Sequence, residues 1–345
     1  MSLIKLPGLI DPHVHLREPG ATQKEDFLTG SRAAVKGGFT FIIDMPNNPY
    51  PTITMERLRE KIELAKKAVC GVGFHYGTNG LNTASFAEAA VHPSVFGLKL
   101  YCNHTTGEML LENPVLVEKV FSTWPVGKPI LVHAEGDQLK MTIDYALKHG
   151  QRLHVCHITQ ADEVVMVRHA KAEGQQITAG VCPHHLYMTG ADREKMGSWA
   201  TMKPPLGTQA DQDELWNGLN DGTIDIVETD HAPHTIEEKK RQPAPFGVPG
   251  LETAVGLMFK AVHDGKFPLE KIQAVMHDNA QKIFAILEYA DTYIELDPEK
   301  TWKVGASGYE SKCGWSPFDG WELYGAVEKV VLQGKILIEA GKLVE

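Results

Sequence analysis

Eight short apolar runs, each separated from the next by a stretch with helical character, fill the larger part of this chain. They are residues 8–15 (GLIDPHVH), 39–45 (FTFIIDM), 71–76 (GVGFHY), 95–101 (VFGLKLY), 129–134 (PILVHA), 152–158 (RLHVCHI), 176–181 (QITAGV) and 225–230 (DIVETD). Between them, residues 54–70 place Leu58, Ile62, Ala65 and Val69 at helical spacing, and 113–121, 138–149, 160–173 and 211–219 read as further helices. Strands that alternate with helices of this length form parallel βαβ units, and eight such units predict an α/β fold closed as a (β/α)8 TIM-type barrel of the usual ~250 residues. We expect the barrel to occupy residues 8–290, with helices at 252–263 and 269–287. Strands at 293–296 and within 327–344 (the hairpin VVLQGKILI) predict a small β appendage formed by the chain termini, 1–7 and 291–345. The Pro-, Gly- and charge-rich loop 234–250 follows the eighth strand, where a long loop is functional rather than neutral.

With 345 residues the chain can bury a sizeable core, so neither disulfides nor a structural metal is needed to hold it. The formal charge of −10 opposes binding to nucleic acid or to an anionic membrane. No apolar run is long enough to span a bilayer, and residues 1–7 lack the pattern of a secretory leader. Five widely spaced cysteines with no CxxC argue against a disulfide framework or a Cys-based zinc knuckle, so a reducing, cytoplasmic setting is expected.

The 16 histidines are the unusual part of the composition. His13 and His15 lie two apart on the first strand and so share a face. His133, His157 and Asp230 close the fifth, sixth and eighth strands, and Lys99 lies near the end of the fourth. Barrel enzymes carry their chemistry at these C-terminal strand ends. Imidazoles and a carboxylate converging there suit Zn²⁺ or a similar divalent ion. A neutral amine beside a metal can add CO₂ and become a bridging carbamate, which gives Lys99 a role. His75, His92, His149, His154, His169, His263 and His277 read as ordinary core or surface residues, His231 as a strand-end hydrogen-bonding residue, and the run 237–241 (EEKKR) as a solvated charged turn.

The segments DPHVHLREPG (11–20), MPNN (45–48), GLKLY (97–101), VHAE (132–135), CHI (156–158), PHHL (183–186), TDHAPHTIEEK (229–239) and PGLETAVGL (249–257) together resemble the dihydroorotases of the amidohydrolase superfamily. The short piece before DPHVH most resembles the dihydroorotase domain of the animal multienzyme of pyrimidine synthesis. The resemblance implies that His13, His15 and Asp230 hold one zinc, that His133 and His157 hold a second, and that carboxylated Lys99 and a hydroxide bridge the two. It implies that Arg17, Asn47 and His234 bind the substrate carboxylate, that the backbone around Pro245 and Gly247 closes over the ring, and that Thr105 and Thr106 in the loop 102–109 hydrogen-bond the substrate. Lys203 reaches either the substrate or solvent.

The implied reaction is the reversible cyclisation of N-carbamoyl-L-aspartate to L-dihydroorotate, with Asp230 as general acid and base. A homodimer, and association with aspartate transcarbamoylase or a multienzyme, are implied as well. Two departures stand out. Gly180 replaces an acidic residue often found beside Cys156 and His185, which argues against an extra metal there. Thr106 replaces an aromatic residue, so weaker or slower loop closure is expected. Dihydropyrimidinase, hydantoinase and allantoinase are the rival enzymes; they act on rings without a carboxylate for Arg17 and Asn47 to hold. A catalytically dead scaffold is the rival from another class, and the presence of all six candidate ligands opposes it.

Overall fold

The alternation of side chains along each strand sorts this barrel into two apolar layers. The computed structural model describes residues 3–105, 107 and 109–344. Its central sheet has eight parallel strands in chain order: β1 (Leu9–Val14), β2 (Phe39–Asp44), β3 (Gly71–Gly77), β4 (Val95–Tyr101), β5 (Ile130–His133), β6 (Leu153–Val155), β7 (Ile177–Val181) and β8 (Ile226–Val227). Leu9, Ile42, Leu98, Leu100, Ile130, Val132, Leu153, Val155 and Val227 face outward into one core shared with the surrounding helices. Their neighbours Ile10, Phe41, Ile43, Leu131, Cys156 and Ile226 face inward and pack on the helix Asn279–Phe284, which plugs the barrel interior. A period of two on a sheet buried on both faces requires this division.

The barrel closes with almost no ladder between β8 and β1. A single parallel bridge joins Val14 to His231, with His15 N–H donating to His231 O at 2.8 Å. The buried Asp11 carboxylate staples the same seam, accepting from Thr229 N–H at 3.2 Å, from the Thr229 hydroxyl and from His13 N–H at 3.1 Å. The strand ends that carry Asp230 and His13 are therefore fixed by side-chain hydrogen bonds where the sheet itself stops.

A five-stranded antiparallel sheet joins Ile4–Pro7 to Tyr293–Asp297 and then to Ala326–Leu332, Lys335–Glu339 and Lys342–Leu343, as the termini led us to expect. Several element limits differ from the sequence reading. The helix expected over 54–70 ends at Leu64 and tightens into a 3₁₀ turn at Ala65–Lys67 before Gly71 opens β3. The segment 269–287 breaks into a 3₁₀ turn, a π-helical stretch at Ala274–Asp278 and the helix Asn279–Phe284, which stops at Ala285 with φ +51°. Among the helices the sequence reading did not anticipate, two stand in the ring around the barrel. Phe27–Lys36 has a Gly and two hydroxyl residues that weaken its periodic signal, and an Asp26 capping box starts it; Phe86–Val91 is a short one.

Glu252 ties the barrel to the 310–311 turn, accepting from Glu310 N–H at 3.1 Å and Ser311 N–H at 3.0 Å. Burial raises its carboxyl from 4.5 to about 7, against the pull of those two N–H groups. The folded chain thus keeps a proton that the unfolded chain releases near pH 4.5. Stability from this group is full below pH 4.5 and is lost as the pH rises through 7. Glu252→Gln is expected to melt close to wild type at pH 5 and above it at pH 8, by up to about 3 kcal/mol, as read by calorimetry.

Candidate active site

All six candidate ligands converge at the C-terminal mouth of the barrel. Asp230 Oδ1 lies 2.9 Å from His15 Nε2 and 3.4 Å from His13 Nε2. His13 and His157 rings are 5.1 Å apart, and donor atoms of His13, His157 and Asp230 all lie within 4.8 Å of one another. His133 Nδ1 meets His157 Nε2 at 2.9 Å. Lys99 joins through Cys156, donating from Nζ to Sγ at 2.9 Å, and its side chain is completely buried.

The backbone is strained where this convergence is made. Arg17 (φ 64°), His157 (φ 38°) and Asp230 (φ 45°) occupy the left-handed region, which costs a residue with a side chain on the order of 1–3 kcal/mol. His157 and Asp230 lie just beyond β6 and β8, so the turn out of each strand aims the side chain across the barrel mouth.

The charges are arranged around two carboxylates, Asp230 and Glu228. Burial pushes the Asp230 carboxyl up, but the His13 and His15 imidazoles outweigh it and hold the group well below the usual carboxylate range. Burial pushes His13 down, yet Glu228 and Asp230 raise it to about 10. Burial lowers His15 to about 4, and keeps His133 and His157 neutral. His133 Nε2 and His157 Nδ1 are buried with no hydrogen-bond partner among the described residues. Bare buried nitrogens beside an ionised carboxylate are what a cation would satisfy, and a cation entering would displace the proton on His13. The donor set of imidazole, carboxylate and amine fits a divalent ion of borderline softness.

Glu228 escaped the sequence reading, although it stands two residues before Asp230, the same spacing that singled out His13 and His15. Its Oε2 lies 3.4 Å from His13 Nδ1 and 3.5 Å from His154 Nε2, and its Oε1 accepts from His157 N–H at 2.5 Å. A side chain at Gly180 would meet the Glu228 carboxyl carbon at 2.5 Å, so the residue just after β8 supplies the carboxylate for which β7 has no room. His13, Cys156 and Glu228 form a second compact donor group, which alters the inference drawn from Gly180 alone; Cys182, His184 and His185 form a third. His75 and His154, read as ordinary residues, are wholly buried in the barrel interior against Phe284. His231 behaves as expected: its Nδ1 accepts from Gly250 N–H at 3.2 Å.

A cavity of about 330 Å³ opens beside the centre, lined by His15, Arg17, Lys24, Asn47, Asn48 and Gly107. A narrow lobe of about 20 Å³ shares His15, Arg17 and Asn47 and reaches Asp230, Thr105, Lys203, Phe246 and Gly247. Thr106 lies outside the described residues. Arg17 Nε donates to Pro233 O at 3.1 Å, and Asn47 Oδ1 meets His15 Nδ1 at 2.8 Å. His234 is buried; burial and the charges of Arg17 and Lys24 hold it neutral. Pro245 contributes its carbonyl to Lys239, a residue of the EEKKR run that the structure buries completely. The solvated-turn reading therefore holds for Glu237, Lys240 and Arg241 and fails for Lys239, because one turn of helix, Ile236–Lys239, turns that side chain inward.

The barrel and its ring of strand-end ligands define a class, and the chain belongs to the amidohydrolase family, whose model matches residues 4–286. Within that family its likeness runs to dihydroorotases. It is 33% identical over 374 residues to the dihydroorotase of Pediococcus pentosaceus, an alignment covering 97% of this chain and 88% of that one. It is also 39% identical over 346 residues to the multifunctional protein pyr1-3 of Dictyostelium discoideum, covering 99% of this chain but only 15% of that much longer one. Among solved structures it resembles the L-hydantoinase (dihydropyrimidinase) of Arthrobacter aurescens, with TM-score 0.93, 25% identity, and coverage of 99% of this chain and 87% of that one. No helix among the described residues is long and apolar enough to cross a membrane.

The His15–Asn47 contact generates a test. An amide oxygen that accepts from Nδ1–H fixes the tautomer and leaves Nε2 facing Asp230. Asn47→Ala is expected to weaken divalent-ion binding by about 10–100-fold, as measured by competition with a chelator.

Proposed function

We propose that this chain is a dihydroorotase that interconverts L-dihydroorotate and N-carbamoyl-L-aspartate in pyrimidine biosynthesis. The observation that carries the reading is the junction of a six-donor ligand cluster with a cavity walled by Arg17, Lys24 and Asn47. That combination matches a cyclic amide bearing a carboxylate.

In this reading His13, His15 and Asp230 would hold one zinc, His133 and His157 would hold a second, and Lys99, carboxylated by CO₂, would serve as a ligand shared between them. Two such ions would supply Lewis acidity to the ring carbonyl and lower the pKa of water. The chain's own residues do the rest. Arg17 holds the ring carboxylate, to which a planar guanidinium can present two parallel N–H donors. Asn47 and His234 complete that end of the cavity, with Thr105, Thr106 and the backbone at Pro245 and Gly247 around the ring. Asp230 accepts the proton of the attacking water and delivers it to the leaving ring nitrogen. In the reverse direction it takes the proton from the ureido nitrogen. Cyclisation turns a dianion into a monoanion and so consumes one proton.

Residues 8–290 are taken as the catalytic barrel, and 1–7 with 291–345 as the β appendage. The reading further includes a cytoplasmic location, a homodimer, and a place beside aspartate transcarbamoylase or within a multienzyme.

A second reading, hydrolysis of a ring without a carboxylate, is favoured by the fold likeness to the hydantoinase. The two separate in a parallel assay on dihydroorotate, dihydrouracil, hydantoin and allantoin. Turnover of dihydroorotate alone is expected, and Arg17→Met is expected to reduce its kcat/KM by at least about 100-fold, since a charge-assisted bidentate contact is lost. Turnover confined to the uncarboxylated rings would sink the proposal. Lys99→Ala is expected to lose metal and activity together; a fully metallated, active variant would exclude the bridging role.

A further inference from the structure

Lys239 is wholly buried, and among the described residues no carboxylate forms an ion pair with it. Its Nζ donates to three main-chain carbonyls: Thr201 O at 3.1 Å, Pro245 O at 3.1 Å and Gly247 O at 3.0 Å. An ammonium has three N–H donors, so its hydrogen-bonding capacity is filled by backbone alone. The Trp315 ring lies 5.5 Å from Nζ and is itself anchored by a 2.8 Å hydrogen bond from Nε1 to His234 O. Isolating a charge from water is expensive unless hydrogen bonds replace its hydration, so this lysine holds its three carbonyls strongly.

Two of those carbonyls belong to the segment that borders the active-site lobe. The carbonyl between them, Phe246 O, meets His234 Nε2 at 2.8 Å. Phe246 O can only accept, and Lys24 Nζ, 3.1 Å from His234 Nδ1, can only donate, so Nε2 carries the hydrogen and donates it to Phe246 O; the 3.3 Å approach of Arg17 Nη2 to Nε2 is then a contact and not a hydrogen bond. Residues 245, 246 and 247 are thus held by alternate carbonyls from two sides. Gly247 N–H adds a bond to Thr201 O at 3.1 Å. Gly247 has φ 128°, and a side chain there would come within 2.6 Å of Ala232 O, so the segment is pressed against the chain just beyond Asp230.

We infer that Lys239 is a positioning residue: by gripping the carbonyls of Thr201, Pro245 and Gly247 it sets the distance between the 245–247 wall and Asp230, and so governs how tightly a ring substrate is held without touching it. This rests on the reading of the Asp230 cluster as the site of a cyclic amidohydrolase. Burial, with a smaller push from Arg17, lowers the ammonium to about 8, consistent with support from carbonyl dipoles instead of a counter-charge.

The test compares Lys239→Met with the exposed neighbour Lys240→Met in the metal-loaded protein. Lys239→Met is expected to speed hydrogen exchange of the Gly247 amide by about tenfold or more while the barrel strands exchange as in wild type. It is expected to raise KM by about tenfold with kcat within about threefold and metal content unchanged, a split that a general loss of structure would not give. KM is measured on whichever ring wild type turns over best. A preference for an uncarboxylated ring would then refute the dihydroorotase reading and leave the clamp tested, and the exchange readout needs no substrate. A folded Lys239→Met with wild-type Gly247 exchange and KM would overturn the inference. Should that variant fail to fold, Lys239→Gln, which retains two N–H donors, is expected to give intermediate exchange and KM, and wild-type values in it would overturn the inference equally.

Discussion

Two carboxylates on one short stretch of chain, Glu228 and Asp230, organise the mouth of this barrel. The site gathers His13, His15, His133, His157 and Lys99 into a space from which water is largely excluded. Such a collection of donors is stable only beside compensating negative charge. Glu228 faces inward toward His13 and His154, and Asp230 reaches across to His13 and His15. Both carboxylates follow directly on β8, which ends at Val227, and its join to β1 is a single bridge beyond the strand and not a ladder. Asp11 and His231 supply the missing hydrogen bonds, so the contacts that close the barrel also fix the chain that carries the site.

The parts of this arrangement that a sequence reveals are those that repeat. Eight apolar runs with helices between them announce the barrel, and strand-end histidines announce its chemistry, because both follow fixed spacings. Glu228 obeys the same two-residue spacing as His13, but a lone glutamate in a strand usually faces solvent. Its inward direction follows only from where β8 sits in the closed sheet. Lys239 was less legible. In a run of five charged residues nothing local says which one is buried, and its environment is made of Thr201, Pro245, Gly247 and Trp315, which are brought together by the fold and by no short-range pattern. The helix Phe27–Lys36 was obscured for a similar reason: Thr29, Gly30 and Ser31 lower its intrinsic propensity, and packing of Phe27, Ala33, Ala34 and Val35 into the core restores it.

Fold likeness and site chemistry also divide the functional question between them. The barrel superposes closely on a hydantoinase, so the backbone alone does not select a substrate. Selection falls to the cavity wall. There Arg17 is held by Pro233 O, with its guanidinium 3.3 Å from neutral His234, and Lys24 approaches the same imidazole from its other nitrogen. Two cations flank one neutral ring, Lys24 with Glu238 Oε1 at 3.4 Å and Arg17 in the field of Asp230, Asp44 and Glu238, so the wall carries cationic donors within a mixed-charge surround. An uncharged ring gains nothing from the charge of those donors and must still displace the water that solvates them. In the proposed reading a ring carrying a carboxylate gains a charge-assisted contact with Arg17 that an uncharged ring lacks, a difference that lies in the wall and not in the fold.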